Sequence, residues 1–208
     1  MGARQPLPWL KPAIFTGALV PLAAILIQAM RGTLSANPIA EALNRLGLLT
    51  LIFLILALAM TPLRAIFGWT WPLRVRRMLG LFAFFYAALH FTTYVALDQG
   101  FAFRAVLKDV LKRRFIFVGF AAFLLLIPLA ITSTSAMVRR LGFRTWQRLH
   151  RLAYLATILG VIHFVWRVKK DVSEPAVYGA VLAVLLGFRV IRALKSMKDK
   201  TKLSRATR

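Results

Sequence analysis

The sequence contains six apolar runs that each approach the length of a membrane-spanning helix. A bilayer hydrocarbon core requires about 20 consecutive apolar residues in an α-helix, with a tolerated range of roughly 17–25. The runs lie at approximately 12–30, 45–61, 78–97, 115–131, 149–167 and 176–190. Because 60% of the residues are apolar and the mean hydropathy is +0.71, a soluble globular fold is excluded. The predicted fold class is an all-α integral membrane protein with six transmembrane helices.

The distribution of basic residues predicts the orientation of these helices. With the N-terminus in the cytoplasm, about two-thirds of the 29 Lys and Arg residues fall in cytoplasmic segments, as the positive-inside rule requires. We therefore predict a cytoplasmic N-terminus at 1–11, a six-helix transmembrane domain at 12–194 and a basic cytoplasmic tail at 195–208. Topology and anionic lipid headgroups account for the formal charge of +23, and no nucleic-acid partner is predicted.

The longest connection between two runs, residues 98–114, has the composition of an amphipathic helix on the membrane surface. Its apolar residues alternate with five basic and two acidic residues. The predicted topology puts this segment on the outer side. Two roles are open for it there: it binds lipid headgroups, or it docks an acidic surface of a partner protein.

Ionisable side chains inside a membrane are costly and usually mark a site. No Asp or Glu lies deep in an apolar run, which argues against a proton relay or a cation transporter. The three histidines lie in or at predicted helices, His90 in the third and His150 and His163 in the fifth. At 1.5 Å per residue, His90 and His163 are both about 18–20 Å from the inner boundary, so they are level in the outer half of the membrane.

Two histidines at one depth on two helices suit the two axial ligands of a haem, whose low-spin iron serves one-electron transfer. Small residues near both histidines would let a flat macrocycle approach the backbone, namely Ala87, Ala156 and Gly160. Arg167, one turn beyond His163, is placed to bind a haem propionate. The alternative is that each histidine only hydrogen-bonds a neighbouring helix. Because the chain has no Cys, a covalently attached c-type haem is excluded.

His150 differs from the other two histidines because it lies in a basic stretch at the inner boundary. A histidine there is either a second iron ligand or an ordinary interfacial residue. It precedes His163 by 13 residues, which puts the two side chains about 140° apart on an ideal helix. A straight helix would therefore not direct both at one partner.

Several short motifs together resemble the MsrQ (YedZ) family of the ferric-reductase-like transmembrane superfamily, which also includes NADPH oxidases. They are TPLR at 61–64, RRMLGL at 76–81, Leu89-His90, TSTSAM at 132–137, WQRLH at 146–150 and HFVW at 163–166. The resemblance implies b-type haem and an association with flavin mononucleotide (FMN). It also implies an inner-membrane electron-transfer subunit with no substrate site of its own. Its electrons would pass to a periplasmic molybdopterin catalytic subunit of the MsrP type, which reduces methionine sulfoxide in proteins.

The sequence departs from the oxidases on the third predicted helix. Where those proteins carry a second histidine, Arg76 and Arg77 stand here, and neither can ligate iron. One haem on His90 and His163 is therefore expected, and a second would require His150 with a shared or non-histidine ligand. No nucleotide-binding domain like that of the oxidases is expected after the sixth run, so the electrons are expected to come from membrane quinol or from a cytosolic flavin reductase.

Basic residues of two predicted cytoplasmic loops form a candidate flavin or donor site, with Arg76, Arg77 and Arg148 as its members. Guanidinium groups bind phosphate well and also steer acidic partners. Their simpler role is to set topology and bind lipid. Two other functions remain open for the whole chain, a stand-alone ferric or metal reductase and a non-redox transporter.

Overall fold

The computed structural model describes residues 8–168 and 171–206, with side chains described up to 195 and at 197. Residues 1–7 of the predicted N-terminus and 207–208 of the predicted tail lie outside the described residues. Within the described ranges the secondary structure is helical, without a strand. The helices are α1 (Leu10–Met30), α2 (Pro38–Phe67), α3 (Trp71–Thr93), α4 (Phe103–Lys112), α5 (Arg114–Ile131), α6 (Ser135–Leu141), α7 (Phe143–Leu149), α8 (Leu152–Arg167) and α9 (Ser173–Ala206).

Six segments of the described chain are long and apolar enough to cross a membrane, which confirms the predicted fold class. They are Leu10–Met30, Pro38–Phe67, Trp71–Asp98, Arg114–Ile131, Phe143–Arg167 and Ser173–Lys195. The fifth combines α7 with α8, and the third ends in one π-helical turn, Tyr94–Asp98. The protein is therefore a multi-pass membrane protein.

Two helix pairs form the centre of the bundle. Helix α2 packs along α3 and α5 packs along α8, while contacts between α3 and α5 and between α2 and α8 join the pairs. Helix α1 packs on α3, and α9 packs on α2 and α8. Aromatic side chains fill the α2–α3 contact, where the rings of Phe53 and Tyr86 stack with centroids 5.4 Å apart. The buried Tyr86 hydroxyl donates to the Ala18 carbonyl of α1 at 2.5 Å and so fixes α1 to the bundle.

Local sequence signals explain where α2 begins and ends. The Asn37 side chain accepts a hydrogen bond from the Ala40 backbone N–H at 3.1 Å, and Pro38 occupies the first turn, where no intrahelical N–H bond is needed. Gly68 ends the helix with φ of +69°, a left-handed conformation that glycine adopts without strain. These signals give α2 a length of 30 residues, longer than its predicted apolar run.

A proline inside α2 creates a contact with α9. Pro62 has no N–H, so the Leu58 carbonyl one turn earlier lacks its usual intrahelical partner. Arg189 of α9 donates to that carbonyl at 2.5 Å, and its guanidinium lies over the Tyr154 ring at 5.1 Å from the centroid. A basic residue of the last helix thus satisfies a backbone group of the second.

Helix α4 confirms the predicted amphipathic segment and lies at the end of the bundle where α3 ends and α5 begins. We call this the α4 end, and the end that holds α6 and α7 the opposite end. Val106 and Val110 face the bundle. Two parallel stripes are exposed. The apolar stripe consists of Phe103, Leu107 and Leu111, and the basic stripe of Arg104, Lys108 and Lys112.

Candidate functional site

A cavity of about 310 Å³ lies between α2, α3, α5 and α8 and extends to the α4 end. Its walls are mainly apolar, with Leu51, Phe91 and Phe123 among the lining residues. The small residues Ala87, Ala156 and Gly160, singled out from the sequence, also line it. An apolar cavity at the meeting point of four helices is a usual place for a cofactor in a helical bundle.

His90 and His163 both line this cavity, and the fold brings their rings close together. Their ring centroids are 6.2 Å apart and the ring planes are nearly perpendicular, at 83°. They come from α3 and α8, which belong to different helix pairs. The two residues that the sequence puts at one depth therefore do meet.

The two imidazoles are held by the same kind of hydrogen bond. Nδ1 of His90 lies 2.9 Å from the Leu43 carbonyl, and Nδ1 of His163 lies 2.6 Å from the Phe115 carbonyl. A carbonyl can only accept, so each Nδ1 carries the proton and donates it. In the neutral imidazole each Nε2 is then unprotonated, and within the described part of the chain it has no hydrogen-bond partner. Metal-ligating histidines commonly have this tautomer and this outer hydrogen bond.

A glycine one turn beyond each accepting carbonyl makes room for the ring. Gly47 follows Leu43 by four residues, and a Cβ atom on Gly47 would lie 3.2 Å from Nδ1 of His90. Gly119 follows Phe115 by four residues, and its Cβ atom would lie 2.6 Å from Nδ1 of His163. Sequence reasoning missed both glycines. The sequence signal for them is a glycine within an apolar run, and this signal does not distinguish them from Gly160. An added Cβ on Gly160 would make only an ordinary contact of 3.7 Å with Leu51.

Charged and polar side chains surround the mouth of the cavity at the α4 end. Arg167, from the last turn of α8, donates to the Asn44 side-chain oxygen. Arg113, at the junction of α4 and α5, also lines the cavity. Two guanidinium groups from distant parts of the chain thus lie at the mouth of a cavity with an apolar interior.

His150 does not join this site. It lies in a turn between α7 and α8, since α8 starts at Leu152 and not at 149 as the apolar run suggested. Its ring stacks on Trp146 with centroids 4.0 Å apart, and its Nδ1 lies 3.1 Å from the Trp146 carbonyl. Its Nε2 is 3.5 Å from Ser133 Oγ. The turn puts His150 at the opposite end of the bundle, so His150 and His163 contact different residues.

The predicted donor-site arginines lie at this opposite end but differ in their contacts. Arg76 is partly buried beside Tyr154 and near Arg189. Arg77 is exposed and its Nη1 approaches Ser135 Oγ at 3.4 Å, while Arg148 is exposed on α7. Arg189 was not among the predicted residues, because its proximity to Arg76 depends on how α9 packs.

No group of three or more His, Asp or Glu residues among the described parts of the chain could hold a metal ion. A metal between His90 and His163 would thus receive two protein ligands, fewer than a structural or catalytic metal site normally uses. A cofactor that brings its own metal ligands fits this arrangement better than a bare ion does.

The family described as "Ferric reductase like transmembrane component" matches residues 45–161, a range that includes His90 and ends two residues before His163. The chain is also similar to proteins named "Protein-methionine-sulfoxide reductase heme-binding subunit MsrQ". Identity to that of Rhodospirillum rubrum is 50% over 187 residues, or 90% of each chain. Identity to that of Deinococcus radiodurans is 47% over 208 residues, or 99% of each chain.

The fold and the cavity define a multi-pass membrane protein of the ferric-reductase-like class. Within this class, the chain belongs to the MsrQ family, as its motifs predicted.

Proposed function

We propose that this protein is a b-type cytochrome subunit that passes electrons through the inner membrane to a methionine-sulfoxide reductase. The observation that carries the proposal is the pair of neighbouring imidazoles in the cavity, with both Nδ1 atoms hydrogen-bonded to backbone carbonyls. The printed name of the relatives, a heme-binding subunit of such a reductase, supports it.

The distance between the two rings would allow both imidazoles to hold one haem iron. A metal–imidazole bond is about 2 Å long, and the ring centre lies about 1 Å behind the nitrogen, so two imidazoles that share one metal have centroids no more than roughly 6 Å apart. The observed separation is 6.2 Å. One haem with His90 and His163 as its axial ligands is therefore our assignment.

Several parts of the chain prepare this site. The Leu43 and Phe115 carbonyls orient the rings and hold the proton on Nδ1, which leaves Nε2 as the ligand atom. The apolar cavity wall would exclude water from between the helices, and Arg167, which lines the mouth, would bind a propionate. The haem supplies an iron that gains and loses one electron. Two histidine ligands from the protein would suit such an iron to electron transfer rather than to binding a substrate.

The direct test is the visible and electron paramagnetic resonance spectrum of the purified protein. Wild type should show a low-spin haem with a sharp α band on reduction. His90→Ala and His163→Ala should each lose most of the haem, whereas Arg192→Ala, an exposed residue of α9, should keep it. Retention of the full low-spin spectrum by both histidine variants would refute the assignment of His90 and His163 as haem ligands.

The direction of electron flow follows from the predicted topology. With the N-terminus inside, the α4 end faces the periplasm and the haem lies near it, while the opposite end faces the cytoplasm. The donor is membrane quinol or a cytosolic flavin reductase. An FMN or a docked donor near Arg76, Arg77 and Arg148 would bridge the distance to the haem, because guanidinium groups bind phosphate and attract acidic proteins.

The acceptor in this proposal is a periplasmic molybdopterin catalytic subunit. The basic stripe of α4 provides a surface for its docking. In proteoliposomes with an internal reductant, the externally added catalytic subunit should reoxidise the haem and reduce methionine sulfoxide. If the subunit leaves the haem reduced, the physiological role fails but the cytochrome assignment stands.

A further inference from the structure

A second arginine at the cavity mouth, Arg113, is bound less firmly to neighbouring side chains than Arg167 is. Arg113 lines the cavity, yet 59% of its side chain is exposed. Its one ionic contact is from Nε to Asp109 Oδ1, at 3.4 Å, and its two Nη atoms have no hydrogen-bond partner in the described part of the chain. The two Nη atoms, the part of a guanidinium that binds a carboxylate side by side, are therefore available.

Asp109 is already engaged by another residue. Its Oδ2 accepts a hydrogen bond from the Tyr94 hydroxyl at 3.2 Å, and only 20% of its side chain is exposed. Tyr94 belongs to the π-helical turn after α3 and also lines the cavity. This network holds Asp109 in place and leaves Arg113 with a single long contact to it.

We propose that Arg113 is the second carboxylate-binding cation of the cavity and that Asp109 competes with the ligand for it. The ligand class is a dicarboxylate macrocycle, and the inference rests on the proposed haem, which carries two propionates. Arg167 with Asn44 provides for one carboxylate at the mouth. A cation from another part of the chain would bind the second carboxylate, and Arg113, between α4 and α5, is the other arginine among the lining residues.

Substitutions of the two members of the Arg113–Asp109 ion pair should shift the haem midpoint potential in opposite directions. Reduction adds a negative charge to the haem, so a nearby cation favours the reduced form and a nearby anion disfavours it. Arg113→Gln should lower the midpoint potential. Asp109→Asn should raise it, because it removes a negative charge and releases Arg113. Damage to the fold would instead reduce haem content in both variants.

Haem release to excess apomyoglobin separates direct contact from a general field effect. Arg113→Gln should release haem roughly tenfold faster, since an ionic hydrogen bond is lost. Lys112→Gln is the matched control: it removes the same charge one residue away, at an exposed position that does not line the cavity. It should release haem at the wild-type rate.

A final arm uses the dimethyl ester of haem, which has no carboxylates. In wild type and Arg113→Gln loaded with this ester, the release rates should be equal. Equal release by Arg113→Gln and Lys112→Gln with ordinary haem would overturn the role of Arg113, and so would a difference that persists with the ester. Absence of haem from the wild type would instead overturn the proposed function.

Discussion

Gly119 and His163 are so close that a Cβ atom on the glycine would lie 2.6 Å from Nδ1 of the ring. Non-bonded carbon and nitrogen atoms do not approach so closely, so an added Cβ would force neighbouring atoms to move. The displaced atoms would be those of the imidazole or of helix α5, because the ring is also held by the Phe115 carbonyl. A Cβ atom on Gly47 would lie 3.2 Å from Nδ1 of His90, a close contact that a small shift of the ring relieves.

A graded loss of haem is the first prediction. Gly119→Ala should lower haem affinity by about tenfold or more, as for other changes to groups that orient a ligand, and Gly47→Ala should have a smaller effect. Gly187→Ala in α9, where an added Cβ meets no atom within 4 Å, is the control. The measurement is haem content after titration of the purified apoprotein. Equal affinity in all three variants would contradict the close approach.

The second prediction concerns His150. Its ring stacks on Trp146 and its Nδ1 is bound to the carbonyl of the same residue, at the end of the bundle away from the cavity. His150→Ala should therefore retain the wild-type ratio of haem to protein and the same spectrum. A fall to half the haem, measured by the pyridine haemochrome method, would establish a second haem there.

The third prediction addresses the opposite end, where electrons are proposed to enter. Arg77→Glu with Arg148→Glu should slow reduction by a cytosolic flavin reductase, roughly tenfold at low ionic strength, because both residues are exposed and can steer an acidic donor. Arg76 is left intact because it packs beside Tyr154. Haem content should not change. Stopped-flow reduction is the measurement, and a rate independent of these charges would argue for quinol as the donor.

The fourth prediction distinguishes the two roles of α4. If its basic stripe docks the acceptor, Lys108→Glu with Lys112→Glu should slow haem reoxidation by the catalytic subunit and reduce its dependence on salt. Reduction by the cytosolic donor should be unaffected, so this variant and the Arg77–Arg148 variant serve as controls for each other. Unchanged reoxidation would favour lipid headgroups as the only partners of the stripe.

The fifth prediction tests the contact between α2 and α9. Arg189→Leu leaves the Leu58 carbonyl without a partner and should lower the unfolding free energy by about 1–3 kcal/mol. Adding Pro62→Ala restores a backbone N–H to that carbonyl and should recover most of the loss. Arg192→Leu, at an exposed position, should have little effect. Additive losses in the double variant, measured by unfolding in mixed micelles, would refute the coupling.

The sequence predicted the features that depend on composition and on counting along one helix. Six spans follow from apolar length, and the common depth of His90 and His163 follows from the rise per residue. The turn at His150 was missed because hydropathy does not detect a short break at a membrane boundary. Gly119 and Arg189 were missed for another reason. Their importance depends on the rotation and packing of helices distant in sequence, which no local pattern contains.

The bond from Arg189 to the Leu58 carbonyl also bears on how the protein is made. The two residues are 131 positions apart, so α2 leaves the ribosome and enters the membrane long before its partner has been synthesised. During that interval the Leu58 carbonyl freed by Pro62 lacks its side-chain donor. The arrival of α9 supplies it. Hydrogen bonding of the second helix is thus completed only by the last one, and a nascent chain that has not reached Arg189 would leave this carbonyl without that donor.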